Sequence, residues 1–304
     1  MRIFENANFE FISKRRTAYI VSGTLLLLSL FALVTRGLET GIDFQGGTEF
    51  VIETGEALPI PGVRDALTTA LGRQPEVKTY DNDETLLIRT TAGGDDIDVL
   101  QSSVEGTLAE SFPQASVNTV SISSVGPRFA DSLKRGAFYA VIASLFVIFV
   151  YIMLRFEWRF SAGAVAALAH DVTITLGIFS MFHHLLPFSL QIDQAIIAAL
   201  LTIVGYSLND TVVVFDRIRE YTNLFKTEDY ASVVDRSINS TLSRTFMTSI
   251  TTLIVVLTLF IFGGEVLRGF AFALIIGIVI GTYSSVFVAS PVLVELKQRA
   301  LAKA

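Results

Sequence analysis

Gln194-Ala-Ile-Ile-Ala-Ala-Leu-Leu-Thr-Ile-Val-Gly-Tyr-Ser-Leu-Asn-Asp-Thr-Val-Val-Val-Phe215 decides the fold class of this chain. It is apolar over most of its length, yet it carries Asn209 and Asp210 in its second half. A helix needs about 20 predominantly apolar residues to cross a bilayer core of roughly 30 Å. The stretch meets that length. A carboxylate inside such a helix costs at least roughly 2.5–3.5 kcal/mol on insertion scales, so it faces a bundle interior and marks a functional position.

Working outward, five more blocks of the same kind appear. The six expected spans cover residues 18–35, 136–154, 162–182, 194–215, 243–262 and 267–293. The chain has 304 residues, 51% of them hydrophobic and 17% charged, and a mean hydropathy of +0.57. A soluble domain carries about 25% charged residues. The deficit, gathered into long blocks, reads as a membrane protein. The net charge of −6 argues against nucleic acid as a partner. With no cysteine, disulfides and thiolate metal sites are excluded.

Lysine and arginine set the expected orientation. Lys14, Arg15 and Arg16 precede the first span, and Arg155 and Arg159 separate the second from the third. Arg217, Arg219, Lys226 and Arg236 fall in the expected cytoplasmic loop 216–242, and Lys297, Arg299 and Lys303 follow the sixth span. Residues 183–193 and 263–266 contain no lysine or arginine. Residues 1–17 and 294–304 are therefore expected in the cytoplasm. The end of the first span, Phe31-Ala-Leu-Val-Thr-Arg36, lacks a small-x-small cleavage site, so it is expected to stay in place.

Residues 36–133 read as one extracytoplasmic domain. Gly41-Ile-Asp-Phe-Gln-Gly-Gly47 leads into a strand at 48–53. Pro61 suits the first turn of a helix ending at Leu71. Strands at 77–80 and 85–90 flank Asp81-Asn82-Asp83, a hairpin signal. Asp95 and Asp96 start a helix to Phe112, with Ile97, Leu100, Val104 and Leu108 at helical spacing. Residues 117–125 alternate as a last strand. The order βαββαβ is the ferredoxin-like arrangement. Gly46 and Gly47 precede a strand and lack the Lys of a phosphate loop, so a close turn is the expected role. The acidic surface reads as a solvated face, with a surface for a cationic or unfolded client as the alternative.

Polar residues occur at three places in the spans. His170 and Asp171 sit in the third, while Ser207 and Thr211 flank Asn209 and Asp210 in the fourth. Arg244 opens the fifth. Antiparallel fourth and fifth spans bring Asp210 and Arg244 to similar depth, and an ion pair between them is expected. Arg stays protonated at any cellular pH, whereas a carboxylate can change charge. That pair is the candidate proton relay, with Asp171, His170 and Asn209 as secondary candidates. Ser207, Asn209 and Thr211 are expected to hydrogen-bond between helices. Small residues in span three (Gly163, Ala164, Ala167) and span six (Gly269, Gly277, Gly281, Ser284, Ser285) favour close helix packing. The adjacent His183 and His184 have no further metal ligands near them in sequence.

Gly205-Tyr-Ser-Leu-Asn-Asp-Thr-Val-Val-Val-Phe-Asp-Arg-Ile-Arg-Glu220 resembles the fourth-span signature of the SecD/SecF family. Gly41 to Gly47 resembles the motif that opens the family's first extracytoplasmic domain, and Ala169-His-Asp-Val172 its third-span motif. The motif residues are thus Gly41, Asp43, Gly46, Gly47, Gly205, Asp216 and Arg217. The resemblance covers nearly the whole chain. It implies a six-span helical membrane protein of the RND superfamily, in the bacterial inner membrane, that is not an enzyme. Such a subunit pairs with SecD, works with the SecYEG channel after SecA, and uses the proton-motive force to draw unfolded preproteins across. YajC and YidC are further partners implied, along with membrane lipids. No cofactor is expected beyond the coupling ion, a proton with Na⁺ as the alternative. The family's charged transport residues map onto Asp210 and Arg244. The competing readings are half of a small-molecule or lipid exporter, an intramembrane protease using Ser207 and His170, and a passive scaffold of the translocon.

Overall fold

The computed structural model describes Phe4 and residues 7–91, 96–183, 185–186 and 188–302; side chains of Glu265, Val266 and Leu301 are outside the description. Asp95, His184 and Lys303 lie outside the described residues. The chain divides into a helical unit (residues 1–38, 140–186 and 195–304) and a sheet domain (39–139 and 187–194).

The sheet domain follows the expected βαββαβ order. A four-residue helical turn, α2 (Ile42–Gln45), precedes β1 (Gly47–Glu53). Then come α3 (Ile60–Leu71), β2 (Glu76–Tyr80), β3 (Asn82–Thr90), α4 (Ile97–Ser111) and β4 (Asn118–Val125). The strands are antiparallel in the order β2-β3-β1-β4. The core is built from alternate strand residues (Phe50, Ile52, Val77, Leu86, Ile88) and one stripe of each helix (Val63, Leu67; Leu100, Val104, Leu108). Ile97, expected on the inner stripe of α4, is exposed instead. Asp96 caps α4 by accepting from Asp98 N at 3.1 Å. Gly72, at φ +65°, ends α3 in the left-handed region.

Gly46 and Gly47 have φ of +76° and +129°. A Cβ on Gly47 would stand 2.5 Å from the Thr90 carbonyl oxygen. The pair turns the chain into β1 where the end of β3 leaves no room for a side chain.

Among the described residues, six helices are long and apolar enough to cross a membrane. They are α1 (Arg15–Thr35, preceded by a 3-10 turn at Ile12–Lys14), α5 (Pro127–Arg155), α6 (Trp158–Phe182), α7 (Gln194–Leu224), α8 (Tyr230–Phe262) and a sixth helix. The sixth comprises α9 (Gly264–Ser284), a π turn (Ser285–Ala289) and α10 (Ser290–Leu301). Several extend beyond the expected spans. The loop expected over 216–242 is mostly helix, with only 225–229 between α7 and α8. Amphipathic extensions of this kind carry too many charges to register as apolar blocks.

The π turn has a local cause. Pro291 has no N–H and its ring crowds the carbonyl four residues back, so the helix widens just before it. Ser290 Oγ donates to the Ser285 carbonyl at 2.9 Å. Gly163 on α6 accommodates the bulge: a Cβ there would be 2.9 Å from the Ala289 carbonyl oxygen. The start of the chain is fastened to α8. Asp235 Oδ1 accepts from Phe11 N and Ile12 N, both at 2.9 Å, and Asn239 bonds both the N–H and the C=O of Phe9. By contrast, α5 leaves Phe138, Ile142, Phe146, Val147 and Leu154 exposed, a face suited to lipid or another helix.

Candidate functional site

His170 and Asp171 lie on α6, and both are buried, Asp171 at 1% exposure. Asp171 uses both carboxylate oxygens. Oδ2 accepts from Ser207 Oγ of α7 at 2.6 Å and from Ser284 Oγ of α9 at 2.7 Å. Oδ1 meets His170 Nδ1 at 2.9 Å. A buried carboxylate without such partners is costly, and three polar contacts offset that cost.

Small residues make this convergence feasible. A Cβ on Gly281 would meet Ser207 Cβ at 3.0 Å, and one on Gly277 would overlap the Ile203 side chain at 2.3 Å. Helices α7 and α9 therefore approach closely enough for two serines to share one carboxylate oxygen. On the other side, Gly177 of α6 receives Ser29 of α1, whose Cα would be 2.5 Å from an added Cβ.

The polar groups continue from His170 toward α1. Its ring stacks on Tyr283 with centroids 6.2 Å apart. Tyr283 Oη donates to the Ala18 carbonyl at 3.2 Å, which leaves Ser22 Oγ to donate to Tyr283 at 3.1 Å. His170 Nε2 is buried without a hydrogen-bond partner. A line of polar side chains thus runs from Ser22 through Tyr283, His170 and Asp171 to Ser207 and Ser284. Sequence reasoning missed Ser22 and Tyr283 and placed Ser284 only as a small packing residue. The signal for Ser284 was its place beside Gly277 and Gly281.

The expected Asp210–Arg244 ion pair does not form in the chain. Asp210 is 4% exposed, and its Oδ2 has no hydrogen-bond partner. Thr245 Oγ1, on α8, is likewise buried and unpartnered. Arg244 is exposed and lines an open cavity of about 950 Å³ together with Arg217, Asp235 and Arg236. Similar depth alone does not bring two side chains within ion-pair distance. Asp210 instead follows Ser207 by one turn on the same face of α7.

The remaining candidates spread out. Asn209 is exposed and makes no interhelical bond in the chain, contrary to expectation. Thr211 Oγ1 donates within its own helix, to the Ser207 carbonyl at 3.0 Å. Gly205 faces outward with nothing within 4 Å of an added Cβ. Asp216 pairs with Arg155 of α5 at 3.2 Å, and Arg217 with Glu220 at 2.9 Å, both partly exposed. His183 Nδ1 lies 3.1 Å from the Ser180 carbonyl oxygen. Among the described residues no group of three potential ligands could hold a metal ion. The order of bonds is Ser207–Asp171–His170, with the carboxylate in the middle. A nucleophilic serine needs the imidazole against its hydroxyl, so this is not a hydrolytic triad.

The family model "Protein export membrane protein SecD/SecF, C-terminal" matches residues 104–299, and the "SecD/SecF GG Motif" model matches residues 31–57. The protein translocase subunit SecF of Rhodothermus marinus is 63% identical over 303 residues, covering 100% of this chain and 98% of that relative. The SecF subunit of Haemophilus influenzae is 40% identical over 283 residues, covering 92% and 83%. Among solved structures, SecDF of Thermus thermophilus, described as a translocon-associated membrane protein, superposes with a TM-score of 0.85 at 36% identity. A SecDF structure in a super-membrane-facing form gives 0.72 at 34%. This chain is covered to 98% in both cases and spans 40% of each of those longer chains. The chain belongs to the SecD/SecF family of protein export membrane proteins, as a multi-pass member of its SecF branch.

Proposed function

We propose that this chain pairs with SecD and couples the proton-motive force to preprotein translocation through SecYEG. The observation that carries the reading is the pair of buried carboxylates. Asp171 is held by three polar partners, while Asp210, one turn beyond Ser207 on α7, keeps an oxygen without any. A carboxylate with open hydrogen-bonding capacity is suited to take up and release a proton. Asp210 is the relay group, and Arg244 of α8, which lines an open polar cavity, supplies the fixed positive charge. One charge moving down 100 mV yields about 2.3 kcal/mol, enough to bias a two-state packing change. Na⁺ is the alternative coupling ion.

The outward face of α7 supports the pairing with SecD. Ala198, Thr202, Gly205 and Asn209 form an exposed stripe on a helix otherwise fit for a membrane. Small residues with one amide suit a partner helix that approaches closely and accepts or donates one hydrogen bond. Both termini lie in the cytoplasm, the sheet domain lies outside it and engages unfolded clients, and YajC and YidC join the assembly.

The test is proton-motive-force-dependent export into inverted vesicles with Asp210→Asn and Arg244→Ala, each with normal membrane levels and SecD association. Loss of export in both is expected. Normal export by both moves the proton path out of this chain.

A further inference from the structure

The segment joining α6 to α7 folds as part of the sheet domain. Ile192 pairs with Thr40 in a parallel bridge: Gly41 N donates to the Ile192 carbonyl at 2.9 Å, and Ile192 N to the Glu39 carbonyl at 2.8 Å. Leu190, Gln191 and Ile192 are buried. Gln191 spends its whole amide on the domain. Nε2 donates to Glu39 Oε1 at 2.7 Å and to Glu76 Oε1 at 2.9 Å, and Oε1 accepts from Arg89 Nη1. Arg89 also binds Glu49 and Glu76, and Lys78 binds Glu39 at 3.0 Å and Glu76 at 2.5 Å. The neutral amide therefore sits at the centre of a partly buried network of two cations and three carboxylates. Three residues after Gln191, Asp43 Oδ2 accepts from Gln194 N at 3.0 Å. That N–H is one of the four that the first turn of a helix leaves without an internal partner.

We infer that residues 188–194 are a coupling strap, in which Gln191 and Asp43 bind the first turn of α7 to the sheet domain so that movement of the helix carrying Asp210 is passed directly to that domain. Asp43 acquires a task of its own, separate from the turn that Gly46 and Gly47 make: it is a positioning residue for α7. Gln191 is the second, and neither touches a proton or a client.

The inference rests on the proton-driven reading above, and the experiment separates the two. Export into inverted vesicles is measured for Gln191→Ala and Asp43→Ala, with Asp210→Asn alongside. A third variant combines Gln191→Ala with Thr40→Cys and Ile192→Cys. The native chain has no cysteine, so within this chain oxidation links only that pair. The expected result is a tenfold or greater loss of the proton-motive-force-dependent stage in Gln191→Ala and a smaller loss in Asp43→Ala, at unchanged membrane level and SecD association. Oxidation of the cysteine pair restores export, and reduction abolishes it again. Full export by Gln191→Ala while Asp210→Asn fails overturns the strap and leaves the proton reading standing. Loss that the cross-link does not restore also overturns it, since the defect is then in the fold of the domain. Normal export by Asp210→Asn removes the proton reading and the strap's role together.

Discussion

Ser284 Oγ donates to Asp171 Oδ2 at 2.7 Å, joining residues 113 positions apart on the sixth and third membrane helices. Ser207 donates to the same oxygen from α7. One carboxylate thus fixes the rotation of three helices about their axes. In a bundle where lipid is as apolar as leucine, such bonds and close packing hold helices together.

Removing one arm should weaken the bundle modestly. Ser284→Ala is expected to lower stability by about 0.6–2 kcal/mol, the range for interhelical hydrogen bonds in membranes. Asp171→Asn keeps an acceptor for both serines and should cost less than Asp171→Leu, which strands two hydroxyls and an imidazole. Thermal unfolding in detergent ranks the three. Equal stability of Asp171→Leu and the native chain would remove Asp171 from the architecture.

Glycine positions should divide by what an added methyl meets. Gly177→Ala drives its Cβ to within 2.5 Å of the Ser29 Cα, a backbone atom that cannot step aside. Overpacking of this kind costs about 1–3 kcal/mol. Gly205→Ala meets nothing within 4 Å in the chain, so its stability alone should be unchanged. Co-purification with SecD should nonetheless fall for Gly205→Leu. Unaltered SecD association would place the partner on another face.

Gly47→Ala should unfold the sheet domain more readily. Its φ of +129° is strained for any side chain, and the new Cβ would press on the Thr90 carbonyl oxygen. A cost of about 1–3 kcal/mol is expected from the backbone alone. Limited proteolysis of residues 39–139 in the intact protein reads it; native resistance would contradict the turn assignment.

The strap should loosen in acid. Burial disfavours the charge on Glu39, but its contacts with Gln191, Glu76 and Lys78 outweigh that and hold the carboxyl down to about 2, against an ordinary 4.5. The unfolded state therefore binds the extra proton between those values. The contribution of Glu39 is complete above pH 4.5 and is lost as pH falls toward 2. Unfolding temperature should drop more steeply in that window for the native chain than for Glu39→Gln. Parallel curves would show that the network adds nothing to stability.

Several features were legible along the chain. Six apolar blocks of membrane length, the order of domain elements and the turn at Gly46-Gly47 all depend on local composition and periodicity. The fourth-span motif likewise drew Asp210 out as a buried carboxylate. Helix ends were read short because α7 and α8 continue past their apolar parts on charged, amphipathic turns.

What meets what was another matter. Hydropathy assigns each residue a depth along its span, but not the direction it faces around the helix, nor which helix lies opposite. Asp210 and Arg244 share a depth without a direct ion pair, while Asp171, Ser207 and Ser284 come together from three helices. Gln191 looked like a loop residue because the partners that bury it, Glu39, Glu76 and Arg89, are supplied by a strand pair and a linker about a hundred or more positions earlier. The sequence by itself determined the spans, the domain and the residue types available for coupling. Only the tertiary structure, through helix rotation and long-range packing, decided which of those residues touch.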